Sequence, residues 1–323
     1  MRPFVLLQHL LPKMLLTRCA GAIARHEGGG FTRSLIERFI RHYGVNMEEA
    51  HNPDPRSYRS FNDFFTRALR DDARPLADSA LICPVDGAVS QLGAIRDGRI
   101  FQAKGHDYTA TELLGGDEAL AEGFRNGNFA TIYLSPRDYH RIHMPCDGLL
   151  RQMVYVPGSL YSVNPTTVAG VPGLFARNER VVCVFEGAFG PWVLVLVGAT
   201  IVGSMATTWH GVVNPPRPGR IVTWEYPAEG REVIRLERGD EMGRFLLGST
   251  VVMLFPEGAP TLPDWRPGQK VRMGQAMSPG ETVAPDVLDV ETRTMDDLLQ
   301  EQAQAQENGG VDDEATGPAG KEV

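Results

Sequence analysis

The sequence GRFLLGSTVVMLF, residues 243–255, reads as one buried β-strand except at its centre. Apolar side chains occupy both ends of this stretch, whereas Gly248 and Ser249 lie in the middle. Glycine packs no side chain inside a strand, and it usually marks a bulge or a close approach of another backbone. A glycine followed by a hydroxyl within an apolar run therefore indicates that this position has a special role.

The composition is that of a globular protein whose charge is unevenly distributed. Of the 323 residues, 42% are hydrophobic and 22% are charged, which is enough to build a substantial core. The net charge is −8, yet residues 281–323 hold twelve acidic and two basic residues, and residues 1–44 hold seven basic and two acidic ones. The four cysteines are far apart and form no CxxC pair, which favours reduced thiols. We expect no nucleic-acid partner.

Residues 1–72 are predicted to form a helical region. The apolar stretch 4–16 is broken by Pro12 and Lys13, and it is too short for a transmembrane helix, which needs about 18 apolar residues. A secretory signal, an interfacial amphipathic helix and a helix packed on the protein's own core are the alternatives, and the basic charge favours the membrane surface. Helical spacing continues through residues 60–72, where the aromatic residues share one face.

Residues 73–285 are predicted to form a mainly antiparallel β core, which gives an α+β fold class. Short β-like runs alternate here with glycine and proline. Residues 83–95 and 268–278 are similar to the two halves of a lipoyl-type β-sandwich, which predicts barrel-sandwich-like character, but no lysine-bearing hairpin indicates a carrier function. Residues 286–323 are acidic and poor in aromatic residues, which predicts a disordered tail.

Two further stretches concentrate reactive side chains. PVDG places Asp86 at a turn, although Asp-Gly is also a common turn dipeptide without any chemical role. SPRDYHRIHMPCDG, residues 135–148, contains His140 and His143. These histidines and Cys146 have zinc-like spacing, but a structural zinc site needs four ligands and the other cysteines form no similar pair, so we expect no metal.

Asp86, His143 and Ser249 are candidates for a nucleophile triad, in which the histidine deprotonates the serine and the carboxylate orients the histidine. A serine hydrolase is one interpretation, but Ser249 lacks a G-x-S-x-G elbow. The other target is the peptide bond that precedes Ser249. Attack on the Gly248 carbonyl would give an ester, and elimination would then cut the chain. Hydrolysis of the resulting dehydroalanine would leave a pyruvoyl group at a new N-terminus.

A set of motifs resembles those of the bacterial phosphatidylserine decarboxylases, and the resemblance covers essentially residues 1–285. The motifs are FNDFFTR (61–67), PVDG (84–87), YLSPRDYHRIHMP (133–145), LFARNERV (174–181), VGATIVGS (197–204) and LGST (247–250).

The resemblance implies the chemistry of each matching residue. Asp86, His143 and Ser249 would be the self-cleavage triad, and cleavage after Gly248 would give a β chain, 1–248, and an α chain, 249–323. The covalent pyruvoyl cofactor made from Ser249 would form a Schiff base with phosphatidylserine and accept electrons as CO₂ leaves. His140 is the candidate proton donor that completes formation of phosphatidylethanolamine, a step in phospholipid biosynthesis.

The resemblance also implies a peripheral protein on the cytoplasmic side of the cell membrane, which takes phosphatidylserine from the bilayer and commonly forms a homodimer. Two alternatives from other classes remain open at the level of sequence. One is a serine hydrolase that acts on lipid without cutting itself. The other is a non-catalytic, membrane-binding β-sandwich.

Overall fold

The computed structural model describes residues 12–200, 204–247 and 250–279. The predicted scissile pair, Gly248 and Ser249, and the predicted tail, residues 286–323, lie outside the described residues.

Short helices and many strands alternate along the chain. The helices are α1 (Lys13–Arg25), α2 (Gly29–Tyr43), α3 (Phe61–Phe65), α4 (Ala110–Leu113), α5 (Glu118–Glu122), α6 (Pro165–Val168) and α7 (Leu174–Arg177), with a 3-10 turn at Pro55–Ser57. The strands are β1 (Gly87–Ala94), β2 (Arg99–Ala103), β3 (His106–Thr109), β4 (Asn128–Tyr133), β5 (Arg141–His143), β6 (Gly148–Val156), β7 (Arg180–Gly187), β8 (Gly190–Val197), β9 (Met205–Thr207), β10 (Gly211–Asn214), β11 (Val222–Glu225), β12 (Arg235–Leu236), β13 (Glu241–Phe245), β14 (Thr250–Phe255) and β15 (Lys270–Val271).

Local sequence signals set several helix ends. Ser60 caps α3, because its hydroxyl accepts a hydrogen bond from the backbone N–H of Asp63 at 3.1 Å. Thr109 and Glu112 form a capping box at the start of α4. Gly44 ends α2 with a left-handed φ of 63°, a conformation that glycine adopts without strain.

Two antiparallel sheets form the body of the protein. The larger sheet has the strand order β11-β6-β7-β8-β14-β4-β1-β15, with β12 paired to β6, and the smaller has the order β10-β9-β13-β5. A two-stranded hairpin, β2-β3, lies apart from both. Over the described ranges neither sheet closes into a barrel. The prediction of a mixed α and antiparallel β fold is thus confirmed.

The larger sheet separates two apolar cores. Along β14, Val251, Met253 and Phe255 pack into one core, whereas Val252 and Leu254 pack into the other. The smaller sheet contributes side chains to the first core, and α4 to α7 contribute to the second. Since every residue of β14 is buried, its unbroken apolar sequence is explained by burial on both faces.

The single strand predicted over residues 243–255 is wrong, because this stretch contributes to two sheets. β13 belongs to the smaller sheet, and its last residue, Phe245, donates a backbone hydrogen bond to His140. β14 begins at Thr250 and pairs with β4 and β8 of the larger sheet. The chain therefore leaves the smaller sheet after Phe245 and belongs to the larger sheet from Thr250 onward.

The helical prediction for residues 60–72 is also too long. α3 ends at Phe65, and the chain after it pairs with residues 49–51 instead. The backbone N–H of His51 bonds the carbonyl of Ala68, and that of Arg70 bonds the carbonyl of Glu49. Tertiary pairing therefore replaces the helix that the local pattern favoured.

The first three helices share a small aromatic core. Phe39 contacts Phe61, Phe64 and Phe65 at ring-centroid distances of 5.0, 5.9 and 6.0 Å. Ile36 is fully buried in the same cluster. None of the helices in the described part of the chain has the length and apolar content needed to cross a bilayer.

We expect Phe64→Ala to lower the free energy of unfolding by about 3–5 kcal/mol, because it removes a fully buried ring from this cluster. Urea denaturation of a Ser249→Ala chain would measure the effect without interference from processing. The matched control is Phe31→Ala, since Phe31 lies on α2 with 61% of its surface exposed. Equal losses of unfolding free energy in both variants would contradict the presence of this aromatic core.

Candidate active site

Three strands meet in register at one end of the larger sheet, which we call the Tyr133 end. Tyr133, the last residue of β4, pairs with Ala88 of β1 on one side and with Thr250 of β14 on the other. β1 and β14 are both antiparallel to β4, so both begin at this end. With strands spaced about 4.8 Å apart, the starts of β1 and β14 lie about 10 Å apart. Asp86 directly precedes β1, and Ser249 directly precedes Thr250 in the sequence.

Gly87 permits the close approach of β1 and β4. A Cβ atom at this position would lie 2.3 Å from the carbonyl oxygen of Tyr133, which no real side chain tolerates. The glycine of the PVDG motif is therefore required by packing, and it fixes the position of Asp86 at the Tyr133 end.

Asp86 is buried, and its carboxylate accepts hydrogen bonds from neighbouring residues. Its Oδ1 accepts hydrogen bonds from Arg74 Nε and from the backbone N–H of Met273, both at 2.9 Å. Arg74 also donates through Nη2 to Glu49 at 2.6 Å. Burial alone would lower the pKa of the Arg74 guanidinium, but the hydrogen bonds and charges of Asp86 and Glu49 raise that pKa above its ordinary value. The network thus supplies a permanent cation beside Asp86.

His143 lies on the segment next to Asp86, and both of its ring nitrogens are engaged. Its backbone N–H bonds the carbonyl of Pro84 at 2.9 Å. Nδ1 lies 2.7 Å from the carbonyl of Gly239, so Nδ1 carries the proton and donates it. Nε2 then accepts from the hydroxyl of Tyr139 at 2.9 Å. Burial lowers the pKa of His143, which keeps the imidazole neutral.

The side chains of Asp86 and His143 therefore have different hydrogen-bond partners in this structure, although their segments are joined. Asp86 still acts on His143 through space, because its negative charge favours the protonated imidazole. Tyr139 stays protonated, since burial raises the pKa of its phenol to about 12.

His140 is fully buried beneath α3. Its ring lies 4.0 Å from that of Phe65, and Nδ1 donates to the carbonyl of Asp138 at 2.8 Å. Nε2 is buried, and among the described residues it has no hydrogen-bond partner. Burial, reinforced by the charge of Arg67, lowers the pKa of His140 to about 3. His140 is therefore a neutral imidazole with an available lone pair.

Arg67 is the second buried cation of the site, and only 4% of its surface is exposed. Nη2 donates to the carbonyl of Arg137 at 3.2 Å, whereas Nε and Nη1 are buried without a partner among the residues described here. Burial lowers the pKa of Arg67, and its guanidinium lies 5.5 Å from the Phe64 ring. Arg67 also lines a cavity of about 290 Å³ that reaches Asp86 and Tyr139.

Thr250 has a side-chain hydroxyl at the Tyr133 end of the larger sheet. Its Oγ1 is buried and finds no hydrogen-bond partner within the described ranges. An unsatisfied buried hydroxyl costs free energy unless another group uses it.

The structure thus places Asp86 at the end of the sheet where β14 begins, and it joins His143 to Pro84 and His140 to Phe245 by backbone hydrogen bonds. Ser249 itself lies outside the described residues. The sequence did not identify Arg74, Tyr139, Arg67 or Thr250. The last three lie inside motifs quoted above, so those motifs held a signal for them. In the described part of the chain, no group of three or more His, Cys, Asp or Glu residues is arranged to hold a metal ion.

Comparison with known proteins shows the family to which the chain belongs. The family model described as phosphatidylserine decarboxylase matches residues 61–278, and a second model, described as PSD, matches residues 3–44. A phosphatidylserine decarboxylase proenzyme of Polaromonas naphthalenivorans is 65% identical over 275 residues, covering 85% of this chain and 95% of that protein. Proenzymes of the same name from Dechloromonas aromatica and Chromobacterium violaceum are each 64% identical, covering 84% and 86% of this chain and 96% and 99% of their own lengths. With two thirds of its length matched by the family model and relatives this similar, the chain belongs to the phosphatidylserine decarboxylase family.

Proposed function

We propose that this chain cuts itself between Gly248 and Ser249 and then converts phosphatidylserine to phosphatidylethanolamine and CO₂ with a pyruvoyl group made from Ser249. The observation that carries the proposal is the register of β1, β4 and β14, which brings the starts of the Asp86 and Thr250 strands to the same end of one sheet. Membership of a family whose members are named proenzymes supports the self-processing step.

In the proposed cleavage, Nε2 of His143 removes the proton of the Ser249 hydroxyl. Tyr139 occupies that nitrogen as a donor, so the serine has to replace the tyrosine hydroxyl before attack. The charge of Asp86 stabilises the imidazolium that forms, and the bond from Nδ1 to Gly239 keeps the ring oriented. Arg74 holds Asp86 in place during this step.

The pyruvoyl group supplies an electrophilic carbonyl that condenses with the substrate amine and accepts electrons as CO₂ leaves. The unpartnered hydroxyl of Thr250 suits a hydrogen bond to a carbonyl oxygen at the preceding position.

We propose that His140 donates the proton that replaces CO₂ on the substrate during decarboxylation. In its neutral form Nε2 holds a lone pair, so His140 has to gain a proton before it can donate one. The proton comes in the end from solvent, because replacing CO₂ by hydrogen consumes one proton that the substrate does not supply. The cationic Arg67 destabilises the imidazolium and thereby favours transfer of its proton to the product.

The first two helices suit a peripheral association with the bilayer. Leu15, Ile23 and Phe31 expose 58%, 47% and 61% of their surfaces, close to the exposed arginines of α1 and α2. Apolar side chains flanked by arginine are typical of helices that lie in a membrane interface. We propose attachment to the cytoplasmic side of the cell membrane, as a homodimer of processed β and α chains.

The lipoyl-like character of the β core stays part of this proposal. It is supported by pairing between the two similar stretches, since Gly87 of the first pairs with Val271 of the second, and Ile82 bridges to Ala276.

We expect the purified wild-type chain to run as two fragments on a denaturing gel and Ser249→Ala to remain one chain, because alanine has no hydroxyl to attack the Gly248 carbonyl. Mass spectrometry would show residues 1–248 and a pyruvoyl-blocked fragment that begins at position 249. The exposed Ser57→Ala is the control and should process normally. Full activity in an intact wild-type chain would contradict the proposal, and labelling of Ser249 in the full-length chain by a fluorophosphonate would favour a hydrolase.

We expect His140→Ala to be processed but to release CO₂ from phosphatidylserine at least about 100-fold more slowly, because positioned proton transfer typically contributes that much. A matched His143→Ala chain should fail at the earlier step and remain uncut. An uncut His140→Ala chain that is otherwise folded would contradict the assigned division of work between the two histidines.

Acid should destabilise the folded chain through His140. The unfolded imidazole titrates near 6.5, whereas burial lowers the folded pKa to about 3, so between these values the unfolded state alone binds the proton. Stability is therefore complete above pH 6.5 and falls by up to about 1.4 kcal/mol per pH unit below it. Comparing urea unfolding of Ser249→Ala with Ser249→Ala/His140→Gln would measure this slope. The slope should shrink in the double variant and stay unchanged when the exposed His51→Gln replaces His140→Gln.

A further inference from the structure

A second cavity, of about 300 Å³, lies between α1 and the end of the smaller sheet. Leu246 and Leu247, the last described residues before the predicted scissile bond, form part of its wall. Its volume falls at the lower end of the range of small-molecule sites, about 300–1,000 Å³. The cavity therefore adjoins the chemistry proposed above without containing any of the residues assigned to it.

The described residues that line this cavity include three arginines and no acidic residue. Arg18 and Arg25 lie on α1, and Arg217 lies in the loop after β10. An ion pair with Glu179 compensates the charge of Arg217, so Arg18 and Arg25 supply the excess positive charge of the cavity. Guanidinium groups bind phosphate and carboxylate through paired hydrogen bonds, so an oxyanion is the matching ligand.

Arg217 is fixed in position by a buried acid. Its Nε donates to Glu179 Oε2 at 3.0 Å, and Glu179 is only 1% exposed. The hydroxyl of Tyr155 donates to the other carboxylate oxygen at 2.6 Å. The side chain of Arg217 is thus held in one orientation before any ligand arrives, which reduces the entropy cost of binding.

Gly21 makes room for Arg25. A Cβ atom at Gly21 would lie 3.1 Å from Arg25 Nη1, closer than ordinary side-chain contacts. Glycine is unfavourable within a helix. Here it lets the guanidinium of Arg25 lie against α1, one turn along the helix from Gly21 and beside the cavity.

Asn62 adds a buried polar atom to the same wall. Its Oδ1 is buried and has no hydrogen-bond partner among the described residues. An amide oxygen accepts hydrogen bonds, so it suits a ligand that combines its negative charges with an N–H donor.

We propose that this cavity binds the headgroup of an amino-phospholipid, with Arg18, Arg25 and Arg217 on its phosphodiester and carboxylate and Asn62 near its amine. This proposal rests on the function proposed above, and it names the residues that would select the substrate for that reaction. The headgroup then lies beside Leu247, two residues before Ser249. α1 also carries exposed apolar side chains, including Leu15 and Leu16, which are suited to the acyl chains.

The test uses dihexanoyl phosphatidylserine as a dissolved monomer, so that attraction of arginine to a charged bilayer does not contribute. We expect Arg18→Gln/Arg25→Gln to be processed normally and to keep kcat, while KM for this lipid rises about 10- to 100-fold from the loss of charged hydrogen bonds. Arg33→Gln/Arg38→Gln is the matched control, because it removes two exposed arginines from α2 that do not line the cavity.

A conservative substitution is needed to test Arg217, because removal of its guanidinium would leave the Glu179 carboxylate buried and unpaired. Arg217→Lys keeps the positive charge but not the paired geometry, so it should raise KM while the chain remains folded and cut.

Binding measured by calorimetry gives a readout that does not depend on turnover. The Ser249→Ala chain should bind the short-chain lipid, and the Arg18 and Arg25 substitutions should weaken that binding by the same factor. Wild-type protein that binds the lipid through these arginines but releases no CO₂ would disprove the proposed function and leave this inference standing. Unchanged KM and unchanged lipid binding in the arginine variants would overturn the inference.

Inorganic phosphate separates the two possible sources of the anion. Weak competition by phosphate that the arginine substitutions abolish, together with the rise in KM, supports the headgroup site. Phosphate binding that depends on these arginines while lipid binding does not would make the cavity a site for free phosphate, and the headgroup assignment would be wrong.

Discussion

The pairing of β14 with β4 and β8 is the constraint on which the rest of the structure depends. Its side chains fill both apolar cores in alternation, so a shift of one residue would exchange every one of them between the two cores. This register places Thr250 opposite Tyr133, at the end of the sheet where β1 also begins. The packing of β14 therefore fixes the position of Thr250, the residue that follows Ser249 in the sequence.

Burial sets the protonation states around this end of the sheet. It lowers the pKa of His140 and His143 and raises that of Tyr139, so all three groups are neutral at physiological pH. Asp86 differs from these neutral groups, because Arg74 and the backbone N–H of Met273 stabilise the negative charge of its carboxylate. The site thus combines two neutral bases with one fixed carboxylate, which is the combination that proton transfer from a hydroxyl requires.

The sequence predicted the residues with dense local motifs and missed those that depend on distant contacts. Asp86, His140 and His143 could be named because each lies in a short polar stretch among apolar ones. Arg74 could not, since the residues around it read only as the end of a helix, and its partners Glu49 and Asp86 lie 25 and 12 residues away. The division of residues 243–255 between two sheets was also hidden, because apolar residues lie on both sides of Gly248 and Ser249.

The two histidines differ in what their Nε2 atoms contact, and this supports a separate task for each. Both backbones are joined to β13, since His143 pairs with Glu241 and His140 accepts a hydrogen bond from Phe245. Nε2 of His143 already accepts a hydrogen bond from the hydroxyl of Tyr139, whereas Nε2 of His140 is buried without a partner among the described residues. A nitrogen that accepts from one hydroxyl is suited to take the proton of another. A nitrogen left without a partner is suited to a group that arrives later, as the substrate does.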